Sequence, residues 1–129
     1  MVEIVIKLPP RTKKNSQRIV VVKGRPLIMP SAEYKKYESA CALYVHKRVV
    51  PIDIPVNVKC VYYMPTRRRV DLVNLEEATL DILVRYGVLA DDNSSIVVSM
   101  DGSRVFYDKE DPRTEITIEP IEGKEKDGY

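Results

Sequence analysis

Apolar and polar residues alternate from the start of the chain. The run VEIVIKL, Val2 to Leu8, has the period of two that predicts a strand, and Pro9-Pro10 ends it. RTKKNSQ follows as a basic loop. Two extended runs, Arg18 to Val22 and Leu27 to Met29, flank KGRP, where Gly24 supplies the permissive backbone of a hairpin turn. The period then lengthens. Ser31 stands where a helix cap belongs, and Tyr34, Tyr37, Cys41, Tyr44 and Val45 recur at helical spacing to about Arg48, with Lys35, Lys36, Glu38 and Lys47 on the other side. Pro51 and Pro55 bracket a connector to VNVKCVYY, Val56 to Tyr63, a β-branched and aromatic run that predicts a strand covered on at least one face.

A second helix is predicted from Leu72 to Tyr86, with Gly87 as its C-terminal stop. Leu72, Leu75, Ala78, Thr79, Ile82, Leu83 and Tyr86 form its broad apolar side, and Asn74, Glu77, Asp81 and Arg85 a polar stripe. Val73, Leu80 and Val84 make a smaller apolar strip nearly opposite the main one. It reads either as incidental surface or as a symmetric subunit contact. After the polar turn Asp91 to Ser94, short extended pieces follow at Ile96 to Met100, Val105 to Tyr107 and Thr114 to Glu119. The sum is an α+β architecture, a mixed β-sheet with two principal helices on one face. Residues 1–119 are expected to form a single domain and 120–129 a flexible tail.

Composition narrows the class of protein. At 129 residues, 44% of them apolar and 31% charged, the chain is long enough for one real core and unlike a fibrous or low-complexity sequence. No apolar run approaches the length of a membrane span, and the first ten residues lack the pattern of a signal peptide, so a cytoplasmic location is expected. Cys41 and Cys60, far apart in apolar contexts, read as buried free thiols, and the single histidine, His46, as a residue on the flank of the first helix. Charge is unevenly distributed. Residues 1–69 carry 15 basic and 4 acidic side chains, and residues 70–129 carry 6 and 15. Solvation alone tolerates that asymmetry. The alternative is a polyanion gripped by the basic part beside carboxylates that need cations to tolerate it, which points to metal-dependent chemistry on nucleic acid.

Most of the candidate chemistry lies in RRRVDLVNLEEATLDILVRYGVLADDN. Arg67, Arg68 and Arg69 on a short connector suit bidentate phosphate contacts, and Lys13 and Lys14 in the basic loop suit the same role. Asp71 at the helix start is either a cap or a magnesium ligand. Asp91 and Asp92 are either turn residues or further ligands, and two or three carboxylates suffice for an ion that keeps several waters. Asn74 reads as a hydrogen-bonding partner that fixes the first turn or orients Asp71, and Asp81 as a member of a polar network.

This segment resembles the RusA-type Holliday junction resolvases, whose pattern is approximately D-x-D-N-L-x-K, an L-D-x-L turn of helix, then G and a D-D pair. Here it reads Asp71-Leu72-Val73-Asn74-Leu75-Glu76-Glu77, Leu80-Asp81-Ile82-Leu83, Gly87 and Asp91-Asp92, with LPPRTKKNS and PSAEYKKYE matching upstream. The resemblance spans about residues 5–118. It implies a RusA-like fold and a homodimer, here expected across the second helix. It further implies Mg²⁺, replaceable by Mn²⁺, and paired hydrolysis of four-way junction DNA that leaves 5′-phosphate and 3′-hydroxyl ends. Within that implication Asp71, Asp92 and Glu77 are the catalytic candidates, and Asp71, Asp92 and Asp91 the metal ligands. Lys13, Lys14 and Arg67 to Arg69 would bind DNA, while Asn74 and Asp81 support the site. Two departures fall inside the motif: Val73 replaces a carboxylate and Glu77 replaces the lysine. On a helix Glu77 lies within about 60° of Asn74 and Asp81, so the stripe either recovers a ligand or marks a protein that binds junctions without cutting them.

Overall fold

The computed structural model describes residues 1–13 and 17–121. Its elements are β1 (Val2–Ile6), β2 (Gln17–Val22), β3 (Arg25–Pro30), α1 (Ala32–Ala40), β4 (Val56–Met64), α2 (Leu72–Arg85), β5 (Val97–Ser99), β6 (Arg104–Tyr107) and β7 (Arg113–Pro120). The main sheet runs β1-β7-β4-β5, with β6 also on β4, and β2 and β3 form a two-stranded sheet of their own. β1 and β4 flank β7 antiparallel, whereas β5 and β6 run parallel to β4. α2 is therefore the crossover between parallel strands β4 and β5, the connection such a pair requires. This is the α+β arrangement of mixed sheet and two principal helices expected from the sequence.

β4 is the spine. Val56, Val58, Cys60 and Tyr62 alternate into the core, where Ile116 and Ile118 of β7 join Leu75, Ala78, Ile82 and Leu83 of α2 and Tyr34 and Tyr37 of α1. The Tyr62 hydroxyl and Thr79 Oγ1 meet at 2.7 Å, and Thr79 donates to Leu75 O at 2.9 Å, so the polar atoms buried between strand and helix are satisfied. Cys41 and Cys60 are buried free thiols. Burial pushes them up to about 11 and about 12, which leaves them unreactive near neutrality.

The edge beside β4 is built from two short strands instead of one. Between them the Met100–Ser103 turn leaves the ladder, and Asn57 of β4 fills the gap by accepting from Asp101 N at 2.8 Å and donating to Asp101 O at 3.1 Å. Ser103 Oγ accepts from Cys60 N at 3.0 Å. The expected strand Ile96 to Met100 is accordingly shorter, Val97–Ser99.

The first helix also ends early. α1 closes at Ala40 and tightens into a 3₁₀ turn over Cys41–Leu43, so the sequence expectation of helix to Arg48 is corrected and His46 lies exposed beyond it. The reason is long-range. The backbone after Val45 is drawn alongside the exit of α2: Arg48 N bonds Gly87 O at 3.4 Å, Ile52 N bonds Val88 O at 2.9 Å, and Ala90 N bonds Ile52 O at 2.9 Å. At the other end of the chain, Pro120 stays paired with Val56 and Ile121 N bonds Pro55 O at 2.9 Å. The rest of the expected tail, residues 122–129, lies outside the described residues. No described helix is long and apolar enough to cross a membrane.

Candidate nuclease site

The connector between β4 and α2 carries Arg67, Arg68 and Arg69, all exposed. Arg68 and Arg69 line a cleft of about 560 Å³ with Met64, Pro65, Thr66 and Val70 on one wall and Pro9, Pro10, Arg11 and Thr12 on the other. The end of β1 and the end of β4 thus face each other across a groove with three arginines in its walls. Arg11 was missed in the sequence, although the PPRT run that holds it was already read as the start of the basic loop. Arg67 behaves differently, because its guanidinium lies 4.2 Å above the Tyr107 ring of β6.

Asp71 is the N-cap residue of α2 by backbone position, at φ −85° and ψ 123°, yet its side chain makes no capping bond. Its Oδ2 accepts instead from Asn74 Nδ2 at 3.2 Å, which holds the carboxylate over the first turn. Of the two roles left open by the sequence, backbone capping by the carboxylate is not the one observed, and Asn74 sits as the orienting partner of Asp71.

At the far end of the stripe, Asp81 Oδ2 pairs with Lys13 Nζ at 2.6 Å, and the same ammonium lies 6.0 Å from the Tyr34 ring. Lys13, assigned from the sequence to DNA phosphates, is paired with this carboxylate in the structure. A carboxylate two-thirds buried on a helix draws the cation from the loop after β1, and the pair stitches that loop to α2. Lys14 lies outside the described residues.

Asp91 serves its turn. Oδ1 accepts from Asp92 N at 2.7 Å and Oδ2 from Asn93 Nδ2 at 3.1 Å. Asp92 is held above the usual carboxylate range, first by partial burial, then by the adjoining Asp91 carboxyl and the charge of Asp81. Three acids from α2 and the following loop therefore share one electrostatic neighbourhood. Glu77 is exposed on the same stripe. Its neighbour Glu76 is raised by burial, an effect that the Ser103 hydroxyl offsets.

Among the described residues no group of three or more His, Cys, Asp or Glu side chains is placed to hold a metal ion. Asp71 and Asp92 nevertheless present exposed carboxylates, the donor type a hard cation takes. The strip expected to form a dimer contact is narrower than the sequence implied. Val73 is 69% exposed, but Leu80 and Val84 are half-buried against the core.

No curated protein matches the chain at a significant level. The family model described as Endodeoxyribonuclease RusA matches residues 7–119, from just after β1 to near the end of β7, and so takes in the cleft, α2 and the acidic loop together. The chain belongs to the RusA family of endodeoxyribonucleases.

Proposed function

We propose that this RusA-family chain is a divalent-cation-dependent endonuclease, a single domain of residues 1–119, that resolves four-way DNA junctions as a homodimer by paired phosphodiester hydrolysis. One observation carries the reading. The Asp71 carboxylate, relieved of capping and oriented by Asn74, follows directly on the arginines of the cleft. A carboxylate and guanidinium donors thus follow one another on one stretch of backbone, which supports cation-assisted hydrolysis of a bound backbone phosphate.

Arg11, Arg68 and Arg69 position the DNA backbone by charge and by their planar donors. Asp71 and Asp92 supply the oxygen ligands, with Asp91 and Glu77 as the remaining acids within the motif. Mg²⁺ or Mn²⁺, when bound, neutralises charge on the phosphate and lowers the pKa of a coordinated water. A bound cation would offset the partial burial and the neighbouring Asp91 and Asp81 carboxyls that raise Asp92. Lys13, paired with Asp81, lessens the repulsion between the stripe and the incoming backbone.

A synthetic four-way junction with Mg²⁺ or Mn²⁺ tests the reading. Wild type should give paired nicks, and Asp71→Asn should abolish them while cation-independent DNA affinity persists. Absence of nicks with both metals across several junction sequences would overturn the enzymatic assignment. A second reading, junction binding without cleavage, draws on Val73 and Glu77 in the motif and on the lack of a three-carboxylate group among the described residues. It expects binding and no nicks from wild type. Glu77→Gln separates the two accounts of the altered motif: depressed cleavage, partly rescued by more metal, marks Glu77 as the replacement ligand.

A further inference from the structure

The sheet face turned away from the helices carries a stack that the cleavage chemistry leaves unused. Tyr63 follows the buried Tyr62 on β4 and so projects from the opposite face. Its ladder partners are Arg113 on β7 and Phe106 on β6, one to either side. The Arg113 guanidinium lies 3.8 Å from the centre of the Tyr63 ring, and the Phe106 ring is stacked beside Tyr63 at 5.6 Å and 29°. Arg113 is itself fixed: Nε donates to Glu115 Oε2 at 2.8 Å, and Nη1 donates to Asp108 Oδ2 at 3.0 Å and to Asp111 O at 2.9 Å. Phe106 is the open end. It is the only phenylalanine in the chain and 46% exposed, and among the described strands β6 is bonded to β4 alone, so the far face of the ring looks past the sheet edge.

We infer that Phe106 is a stacking platform for an unpaired nucleobase, and that it directs the chain to branched or single-stranded DNA over intact duplex. The inference rests on the DNA reading of the arginine groove. The stack stands at the same end of the sheet as that groove, because Met64, the next residue of β4, lines it. Arg104, exposed and two positions before Phe106 on the same face, supplies a cation for the phosphate beside such a base. On the other face of β6, Tyr107 holds Arg67, so the strand ends with a ring beside a cation on both sides. A base presents a π-face of any sequence to an aromatic ring, but in a duplex both faces are taken by its neighbours. Only an unpaired base can lie flat on Phe106, and a branch point offers one once its central pairs open.

Anisotropy titrations without divalent cation on a single-stranded oligonucleotide, a four-way junction and a blunt duplex test it. Phe106→Ala should bind the first two about tenfold more weakly, the loss of one stacked base, and the duplex as wild type does. Phe106→Leu keeps apolar bulk without a π-face and should lose as much, whereas Phe106→Tyr should retain wild-type binding. The chain contains no tryptophan, so Phe106→Trp carries a single reporter, whose emission should be quenched by the single strand and not by the duplex. Where Phe106→Ala fails to fold, that emission decides. Unchanged affinity in Phe106→Ala, an equal loss on all three DNAs, or a Phe106→Leu protein that binds as wild type would each overturn the inference. So would a changed mass of Phe106→Ala in light scattering, which would make the stack a contact between copies. A wild type that cuts junctions while Phe106→Ala binds unchanged loses only the platform, and selective quenching without nicks removes only the nuclease reading. A wild type that binds none of the three DNAs removes both.

Discussion

Ser31 and Asp71 occupy equivalent positions at the starts of α1 and α2, and only one of them caps. Ser31 Oγ accepts from Tyr34 N at 3.1 Å, whereas Asp71 gives its carboxylate to Asn74. Forgoing about 1 kcal/mol of capping at α2 is consistent with the proposed use of that carboxylate as a cation ligand. Asp92 carries an electrostatic cost of its own, set first by partial burial and then by the neighbouring carboxyls. Its folded-state pKa is raised, so stability falls as pH rises from the unfolded value through the folded one, and the ionised side chain at neutrality costs the folded state stability. Asp92→Asn is therefore expected to melt slightly higher than wild type at neutral pH, by a small margin because the side chain is largely solvated, while losing cation-dependent cleavage. Scanning calorimetry at pH 7 beside the junction assay checks both halves, and a lower melting point contradicts the electrostatic account. Two tyrosines give a matched pair. Tyr62→Phe removes a bond to Thr79 and should cost about 1 kcal/mol. Tyr34→Phe removes a buried hydroxyl that has no partner among the described residues, and should be neutral or stabilise by up to about 1 kcal/mol in urea titrations.

Within the elements, α2 was the most legible stretch of the sequence, because its apolar period and its stop are both local. The stop is a paired C-cap: Gly87 N bonds Val84 O at 3.1 Å and Val88 N bonds Leu83 O at 2.9 Å, with Gly87 at φ 76°. A Cβ at Gly87 would be strained by that backbone and would lie 2.9 Å from Lys47 Cγ. Gly87→Ala should thus lower stability by about 1–2 kcal/mol, read as a reduced urea midpoint at unchanged slope. The end of α1 was not legible, since the residues that take over its backbone bonds, Gly87 to Ala90, lie about forty positions downstream. The break between β5 and β6 was hidden for the same reason: the Asn57 side chain that fills it belongs to another strand. In the site, the stripe from Asp71 to Asp81 and the run of arginines could be read directly. The Lys13–Asp81 pair spans 68 positions, and the stacking of Arg67 on Tyr107 depends on the parallel register of β4 and β6. Periodicity reveals which face a residue occupies but not which distant partner meets it there.

For the whole molecule, the uneven charge of the sequence becomes a groove with cationic walls leading to an acidic helix. The β1 exit and the β4 exit supply the arginines, while α2 and the loop after it supply the acids. Under the proposed function such a layout makes DNA affinity strongly salt-dependent, because each neutralised phosphate releases counterions. The arginines should not contribute equally. Arg68 and Arg69 line the groove, but Arg67 is already stacked on Tyr107 and must leave that ring to reach a phosphate. Replacing Arg68 and Arg69 by Ala should weaken binding to junction and duplex alike, and should flatten the plot of log affinity against log salt by about 0.9 for each phosphate no longer neutralised. Arg67→Ala should change that slope by less than either single replacement. Arg11→Ala, across the groove, should resemble Arg68→Ala in its effect. Fluorescence anisotropy titrations at several salt concentrations without divalent cation measure these slopes directly. If Arg67→Ala flattens the slope most while Arg11→Ala leaves it untouched, the DNA backbone follows the Tyr107 side of the connector and not the groove between the two strand ends.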